Sequence, residues 1–278
     1  PAACRGADLF SRAGWARRPR RRRPRPDHPG APAIHTAAPN DLWTADFKGE
    51  FRTGDGIYCY PLTIADLHAR FLIDCHGRYS TQTVTAWPVF EQAFRAYGLP
   101  RAIRTDNGPP FATTSIHGLS KLSVWWMRLG IQHQRITPGM PSENGAHERM
   151  HRSLKRRAIR PARATMAAQQ RAFNAFRAEY NDERPHESLG METPASQYTP
   201  SPRPYPARLP VPEYPGHFTV KQITTGGTFR FGNRVLYLAN ALTGELVGLD
   251  EVDDGVWWIY FGTTLIATLD ERNYIIKE

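Results

Sequence analysis

Cysteine is scarce in this chain. Cys4, Cys59 and Cys75 are the three in 278 residues, and they sit too far apart for a disulfide framework or a zinc ribbon. A reducing, cytoplasmic setting is the expectation. Long apolar runs are missing too: none approaches the roughly 18 residues of a membrane span, so no membrane partner is expected. The first residues hold no Met, no secretory apolar region and no cleavage site, and read as an internal cut. Acidic residues are few at the front. Residues 1–34 carry nine Arg against two Asp.

What is present is positive charge, unevenly spread. The formal total is +10, yet residues 216–278 hold five basic and eight acidic side chains. A basic front and centre suit a polyanion, nucleic acid first among them. The run Arg17 to Arg25 repels itself and cannot form a core. Its members, Arg21 and Arg22 among them, could track phosphates by releasing counterions. The plainer alternative is a solvated linker. Forty per cent hydrophobic residues leave ample material for a core elsewhere.

Regular structure is expected from Asn40 onward. From Leu42 to Phe51 residues alternate, with Leu42, Thr44, Asp46 and Lys48 on one side and Trp43, Ala45, Phe47 and Gly49 on the other. Thr53-Gly54-Asp55-Gly56 signals a hairpin turn, and strands over 57–66 and 71–75 complete an antiparallel meander. A helix over 81–97 follows, with Val84, Trp87, Phe90, Phe94 and Tyr97 as its core side and Pro88 as an irregularity. A short strand over 101–105 ends at Asp106-Asn107-Gly108, then come a helix over 115–129 and a strand over 131–135. Pro138-Gly139-Met140-Pro141 makes a turn, Ser142 can cap a helix, and Glu143 lies in its first turn.

On that helix Glu148, Arg152 and Lys155 share a face. An intrahelical ion pair on a solvated face explains them as readily as a carboxylate beside a phosphate backbone. Asp106-Asn107-Gly108 alone is equally a turn. The order of the acids decides: Asp46 in the first strand, Asp106 after the fourth, Glu148 on the helix after the fifth. In a mixed sheet opening with a meander these positions converge. Three hard oxygen ligands suit Mg²⁺ or Mn²⁺, and two such ions about 3.5–4 Å apart serve displacement at phosphorus. No histidine or cysteine cluster is expected to compete as ligand. Asn107 and Asn144 flank the acids and could position DNA or water. Lys48 could contact phosphate or pair with Glu50, and Asp66 could be structural or support the site. Arg149, Arg156 and Arg160 extend the positive charge around the helix.

Trp43-Thr44-Ala45-Asp46-Phe47-Lys48-Gly49, Arg104-Thr105-Asp106-Asn107-Gly108-Pro109-Pro110-Phe111 and Asn144-Gly145-Ala146-His147-Glu148-Arg149 together resemble the three acidic motifs of DDE transposases with a retroviral-type integrase core. Tyr180-Asn181-Asp182-Glu183-Arg184-Pro185-His186-Glu187-Ser188-Leu189-Gly190-Met191-Glu192-Thr193-Pro194 is similar to the tail of bacterial insertion-sequence transposases. The resemblance covers about Asn40 to Pro200. It implies an RNase H-like α/β fold, a five-stranded mixed sheet flanked by helices. It implies Mg²⁺-dependent cutting of element ends and joining of a 3′-hydroxyl to target DNA by a homo-multimer at the bacterial nucleoid. Its glutamate follows an Asn-Gly pair by three residues, which selects Glu148 over Glu143. The family's helix-turn-helix module would not fit whole into residues 1–34. A non-catalytic DNA-binding or assembly fragment and a nuclease without joining therefore remain alternatives.

The expected division is a basic linker over 1–39, a catalytic core over 40–199, a Pro-rich linker over 200–215 and a small β-barrel over 216–278. Arg184-Pro185-His186 could touch DNA or close a helix. Trp257 and Trp258 point to opposite faces of one strand, so at least one belongs to a core. The acidic balance of the last segment favours protein assembly over DNA binding.

Overall fold

The structure is a computed structural model that describes residues 36–113, 115–137 and 145–277, with residue 117 through its backbone alone. The expectations for Arg21, Arg22, Ser142, Glu143 and Asn144 fall outside the described residues.

Alternation in the first strand is realised. In β1 (Leu42–Phe47), Trp43 and Ala45 enter one apolar cluster, joined at its margin by Phe47. Thr44 and Asp46 face the other way. The expected single strand is broken beyond Phe47. Gly49 adopts φ +91°, a region where a side chain is strained, and the chain re-enters as β2 (Phe51–Arg52). Pairing with β3 (Tyr58–Asp66) slips by one residue across this break, from Phe47↔Leu62 to Phe51↔Cys59. This is the signature of a bulge. β4 (Leu72–Arg78) pairs with the other edge of β3 and completes the meander.

Two parallel strands extend the sheet on the far side of β1, β5 (Ala102–Thr105) and then β6 (Gln132–Arg135). The main order is β4-β3-β1-β5-β6, a five-stranded mixed sheet, with β2 as a short extra segment on β3.

Helices cover both faces. α1 (Thr83–Tyr97) buries Ala86, Val89, Phe90, Ala93 and Phe94, a spacing that forms one helical stripe. Val84, expected in the core, is exposed, because it stands off that stripe. Pro88 falls in the second turn, and Gly98 ends the helix at φ +76°. The helix expected from Ser115 starts later. Ile116–Gly118 is a separate tight turn, and α2 (Lys121–Arg128) begins at Ser120. There the Ser120 hydroxyl accepts from the Ser123 N–H at 3.1 Å, while Ser123 Oγ accepts from the Ser120 N–H at 2.9 Å. This reciprocal cap fixes the start.

On the opposite face lie α3 (Gly145–Leu154) and α4 (Met166–Ala178), packing Met150, Leu154, Phe173 and Phe176 against Cys59, Ala65, Leu72 and Cys75. Both described cysteines are buried free thiols in this layer. The tail continues through α5 (Pro194–Gln197).

The Pro-rich stretch is extended, as its composition suggests, but it lies along the core. Tyr205 and Leu209 pack on the aromatic cluster, and Arg203 donates to the carbonyls of Pro100, Leu129 and Gly130. Beyond it the chain is all β. A sheet of five strands runs β13 (Ile275–Lys277), β12 (Thr264–Asp270), β11 (Val256–Phe261), β10 (Leu246–Asp253), β7 (Thr219–Gln222). A hairpin of β8 (Thr228–Phe231) and β9 (Arg234–Tyr237) packs with it in one core. Among the described residues no pairing closes this sheet into a ring. Trp257 is half-buried against the core and Trp258 is exposed, the split expected of neighbours on a strand. α2 serves two cores. Leu122, Trp125 and Trp126 face α1, while Val124 and Met127 face the C-terminal sheets.

Candidate active site

The parallel register between β1 and β5 builds the site. Leu42, Trp43 and Thr44 lie opposite Ala102, Ile103 and Arg104. The same offset carried two residues further sets Asp46 abreast of Asp106. Asp106 also holds its own turn, accepting from the Gly108 N–H at 3.1 Å. Glu148 is exposed on α3, on the same side of the sheet as the Asp46 side chain.

Burial and the neighbouring acids both act on Asp46. The Asp46 carboxyl is pushed up to about 7, first by burial, then by the negative charge of Asp106, with a smaller push from Glu148. A hydrogen bond from the Phe47 backbone and the charge of Lys48 pull the other way. An ordinary surface ion pair would lower a carboxyl. This one is raised, by burial first and by the neighbouring acids second.

Beneath Asp46 the structure corrects the sequence reading, which expected no histidine cluster. His147 and His151 stand one turn apart on α3 and, with Asp46, bring ligand atoms within 4.8 Å of one another. Burial drives the His147 ring down to about 3. Burial, then His147 and Lys48, drive His151 to about 2. Both rings are neutral at ordinary pH. His147 spends both nitrogens: Nδ1 meets the Thr44 hydroxyl at 2.8 Å and Nε2 the Thr63 hydroxyl at 2.7 Å. Thr63 Oγ1 also meets His151 Nε2 at 2.7 Å and the Asp46 carbonyl at 3.1 Å. A hydroxyl has one proton, so at least one imidazole must donate to Thr63. Only Nδ1 of His151 is left over, 3.8 Å from Asp46 Oδ2. His147 therefore fastens α3 to β1 and β3, and a three-ligand Asp-His-His metal set would have to break those bonds. The signal was in the sequence: an i, i+4 histidine pair opposite polar strand residues at alternate positions.

The remaining candidates divide. Asn107 is exposed and donates its amide to the Ile136 carbonyl at 2.8 Å, which ties the exits of β5 and β6. Asp66 is structural. It accepts from the backbone N–H groups of Asn40 and Ala69 and pairs with Trp43, at the opposite end of β1 from Asp46. Lys48 is half-buried near Asp46, and no ion pair to Glu50 occurs among the described residues. Arg149, Arg152, Lys155, Arg156 and Arg160 are exposed.

Residues 36–141 and 129–194 each match a family model of the integrase core domain. This chain carries an integrase core domain. It is 31% identical over 210 residues to the uncharacterized 39.2 kDa protein of insertion element IS476 from Xanthomonas euvesicatoria, covering 75% of this chain and 58% of the relative. It is 28% identical over 189 residues to the uncharacterized 31.7 kDa protein of insertion element IS407 from Burkholderia multivorans, covering 67% and 65%. The chain thus spans less than two thirds of each relative. In fold it is similar to a chain of the simian T-cell lymphotropic virus intasome in complex with PP2A regulatory subunit B56 gamma, with TM-score 0.50 and 18% identity over 87% of this chain and 84% of that one. That likeness in fold extends past residues 36–194. Among the described residues no helix is long and apolar enough to cross a membrane.

Proposed function

We propose that this chain is the catalytic part of a transposase that cuts element ends and joins them to target DNA. The observation that carries the reading is the raised Asp46 carboxyl among Asp106 and Glu148. A half-buried Asp46 with the charges of Asp106 and Glu148 acting on it, opposed by Lys48, forms a set that a divalent cation would neutralise. The donors are hard oxygens, which fits Mg²⁺ or Mn²⁺ better than a thiol-seeking metal. Asp46, Asp106 and Glu148 would hold the metal, two ions in the form we favour. When bound, such ions activate an attacking oxygen and stabilise a leaving oxygen at phosphorus.

The chain's own residues supply position. The imidazoles and the Thr63 hydroxyl hold α3 against the strands, so that Glu148 is presented beside Asp46. Arg152 and Lys155, exposed on the same helical face, would grip the DNA backbone and orient the end. Water attacks first, forming a new bond to phosphorus and releasing a 3′-hydroxyl. That hydroxyl then attacks a target phosphodiester and displaces its 3′ oxygen. Both DNA ends must be joined in concert, so a homo-multimer is part of the proposal, and the acidic β segment is its assembly surface. A nucleoid setting goes with these substrates.

The test uses duplexes bearing the inverted repeats that flank the coding region. Mg²⁺-dependent nicking and joining are expected from the chain and lost in Asp46→Asn and Glu148→Gln. Full strand transfer by either variant would sink the assignment. Nicking without joining of pre-cleaved ends would leave a nuclease instead.

A further inference from the structure

A cleft of 780 Å³ opens on the flank of α3, between that helix and the tail segment over 180–191. Three guanidinium groups line it, from Arg70, Arg149 and Arg184. They come from three separate parts of the chain: the turn between β3 and β4, α3, and the tail. All three charges act on the phenol of Tyr180 in the cleft wall. Arg70 and Arg149 are close enough to repel each other. No ion pair engages any of the three among the described residues. One acid, Glu187, also lines the cleft.

The cleft has the marks of a built anion site. Arg184 is held in place by a 2.7 Å bond to Ser153 Oγ and lies over the Tyr180 ring at 5.5 Å. Arg70 occupies a left-handed backbone conformation, φ +59°, where glycine or asparagine would be easier. Its side chain lines the cleft. Nε2 of His186, another lining group, is buried with no partner. Asp66 acts on Arg70 and Glu187 lines the cleft, but three guanidinium groups outnumber them, and gathered like charges cost stability that a bound anion restores. Guanidinium forks suit phosphate oxygens in particular. The volume exceeds what a single inorganic anion needs. Arg149 adjoins Glu148 in the chain, so a backbone crossing the exposed face of α3 runs toward this cleft.

We propose that the cleft of Arg70, Arg149 and Arg184 is a second DNA-backbone site, which takes a phosphodiester of the strand that leaves the acidic centre. It rests on the transposase reading for the identity of the polyanion. It gives the tail motif Arg184-Pro185-His186 a role as one wall of that site.

The test is the salt dependence of binding between the full 278-residue chain and a short DNA duplex, in chelator so that no chemistry occurs. Each phosphate that is no longer neutralised lowers the log–log slope by about 0.9. Arg149→Gln is expected to remove about one such increment and Arg70→Gln/Arg149→Gln about two. Arg149→Lys should keep most of the slope. Arg95→Gln, whose guanidinium already pairs with Glu91, should leave it unchanged. Wild-type slopes in both Arg149→Gln and the double variant would overturn the proposal. An equal fall in Arg95→Gln would also overturn it, as mere net charge. Inorganic phosphate forms a separate arm. If it raises the melting temperature through Arg149 while the DNA slope stays unchanged in the variants, the cleft holds a free anion and the DNA site is refuted. Nicking by Asp46→Asn is read in parallel. Its persistence would topple the catalytic reading without altering the salt slopes.

Discussion

The two faces of the central sheet are built from different materials. The face under α1 and α2 is aromatic: Trp43, Phe90, Phe94, Phe111, Trp125 and Trp126 are buried there, and Trp87 stacks on Trp125 at 4.0 Å. The face under α3 carries Thr44, Asp46 and Thr63 against His147 and His151. The second face also packs Met150, Leu154 and Phe173, but around the partly exposed Asp46 it is held by specific polar bonds. Apolar packing is made of many small, forgiving attractions, whereas hydroxyl–imidazole bonds demand particular atoms at particular distances. The aromatic face therefore supplies stability, and the polar face fixes where one helix stands. That division lets an acid such as Asp46 sit on a rigid strand without being stranded in hydrocarbon.

Breaking each face should give a distinct phenotype. The largest effect is on chemistry. Asp46→Asn should cut Mg²⁺-dependent nicking by more than the roughly 100-fold that losing a supporting partner causes, with little change in melting temperature. Activity within threefold of wild type would place the reaction elsewhere. Trp126→Ala on the aromatic face should do the reverse. It should cost about 3–5 kcal/mol in denaturant unfolding, with catalytic competence retained in whatever stays folded.

Smaller effects sharpen the contrast. Thr63→Val keeps the shape of the polar face but removes the hydroxyl that both imidazoles share. A loss of about 1–3 kcal/mol is expected, together with lower activity, because α3 is no longer pinned. A stability loss with unchanged kcat would show that the network only holds the fold.

His133 is the polar exception on the aromatic face, touching Trp126 and the Thr105 hydroxyl at 2.9 Å. Burial, then Arg135, lowers its ring to about 4. Its folded value lies below the unfolded one, so its neutral form is favoured by folding. Stability is full above about pH 6.5 and falls as pH drops toward 4, by roughly 1–3 kcal/mol. His147 and His151 add to the same fall, so His133→Gln should make that part of the pH–stability curve shallower, and an unchanged curve would refute the assignment. Last and smallest, Arg128→Ala should cost no more than about 1 kcal/mol. Its pair with Glu245 at 3.2 Å links α2 to the C-terminal sheets, but the apolar side chains between them carry more.

Much of this fold is legible in the chain because it is local. The alternation from Leu42 to Phe47 assigns Trp43 to one face and Asp46 to the other, since successive strand residues must point apart. Gly49 and Ser120 show the limit. Each is a local signal, a left-handed residue and a cap, that moves an element boundary within a segment whose type is already clear. Val84 departs from expectation for a related reason: its helix is right, but which side of that helix is buried depends on where the sheet lies.

By itself the sequence determined the strand and helix periods, the order of three acids and the split between Trp257 and Trp258, because each follows from backbone geometry over a few residues. Only the tertiary structure decided that His147 meets Thr44 and Thr63, that the proline-rich stretch lies along the core, and that Arg70, Arg149 and Arg184 share a cleft. Those partners are far apart in the chain. Their meeting depends on how the sheet, α3 and the tail pack, and no local propensity encodes that.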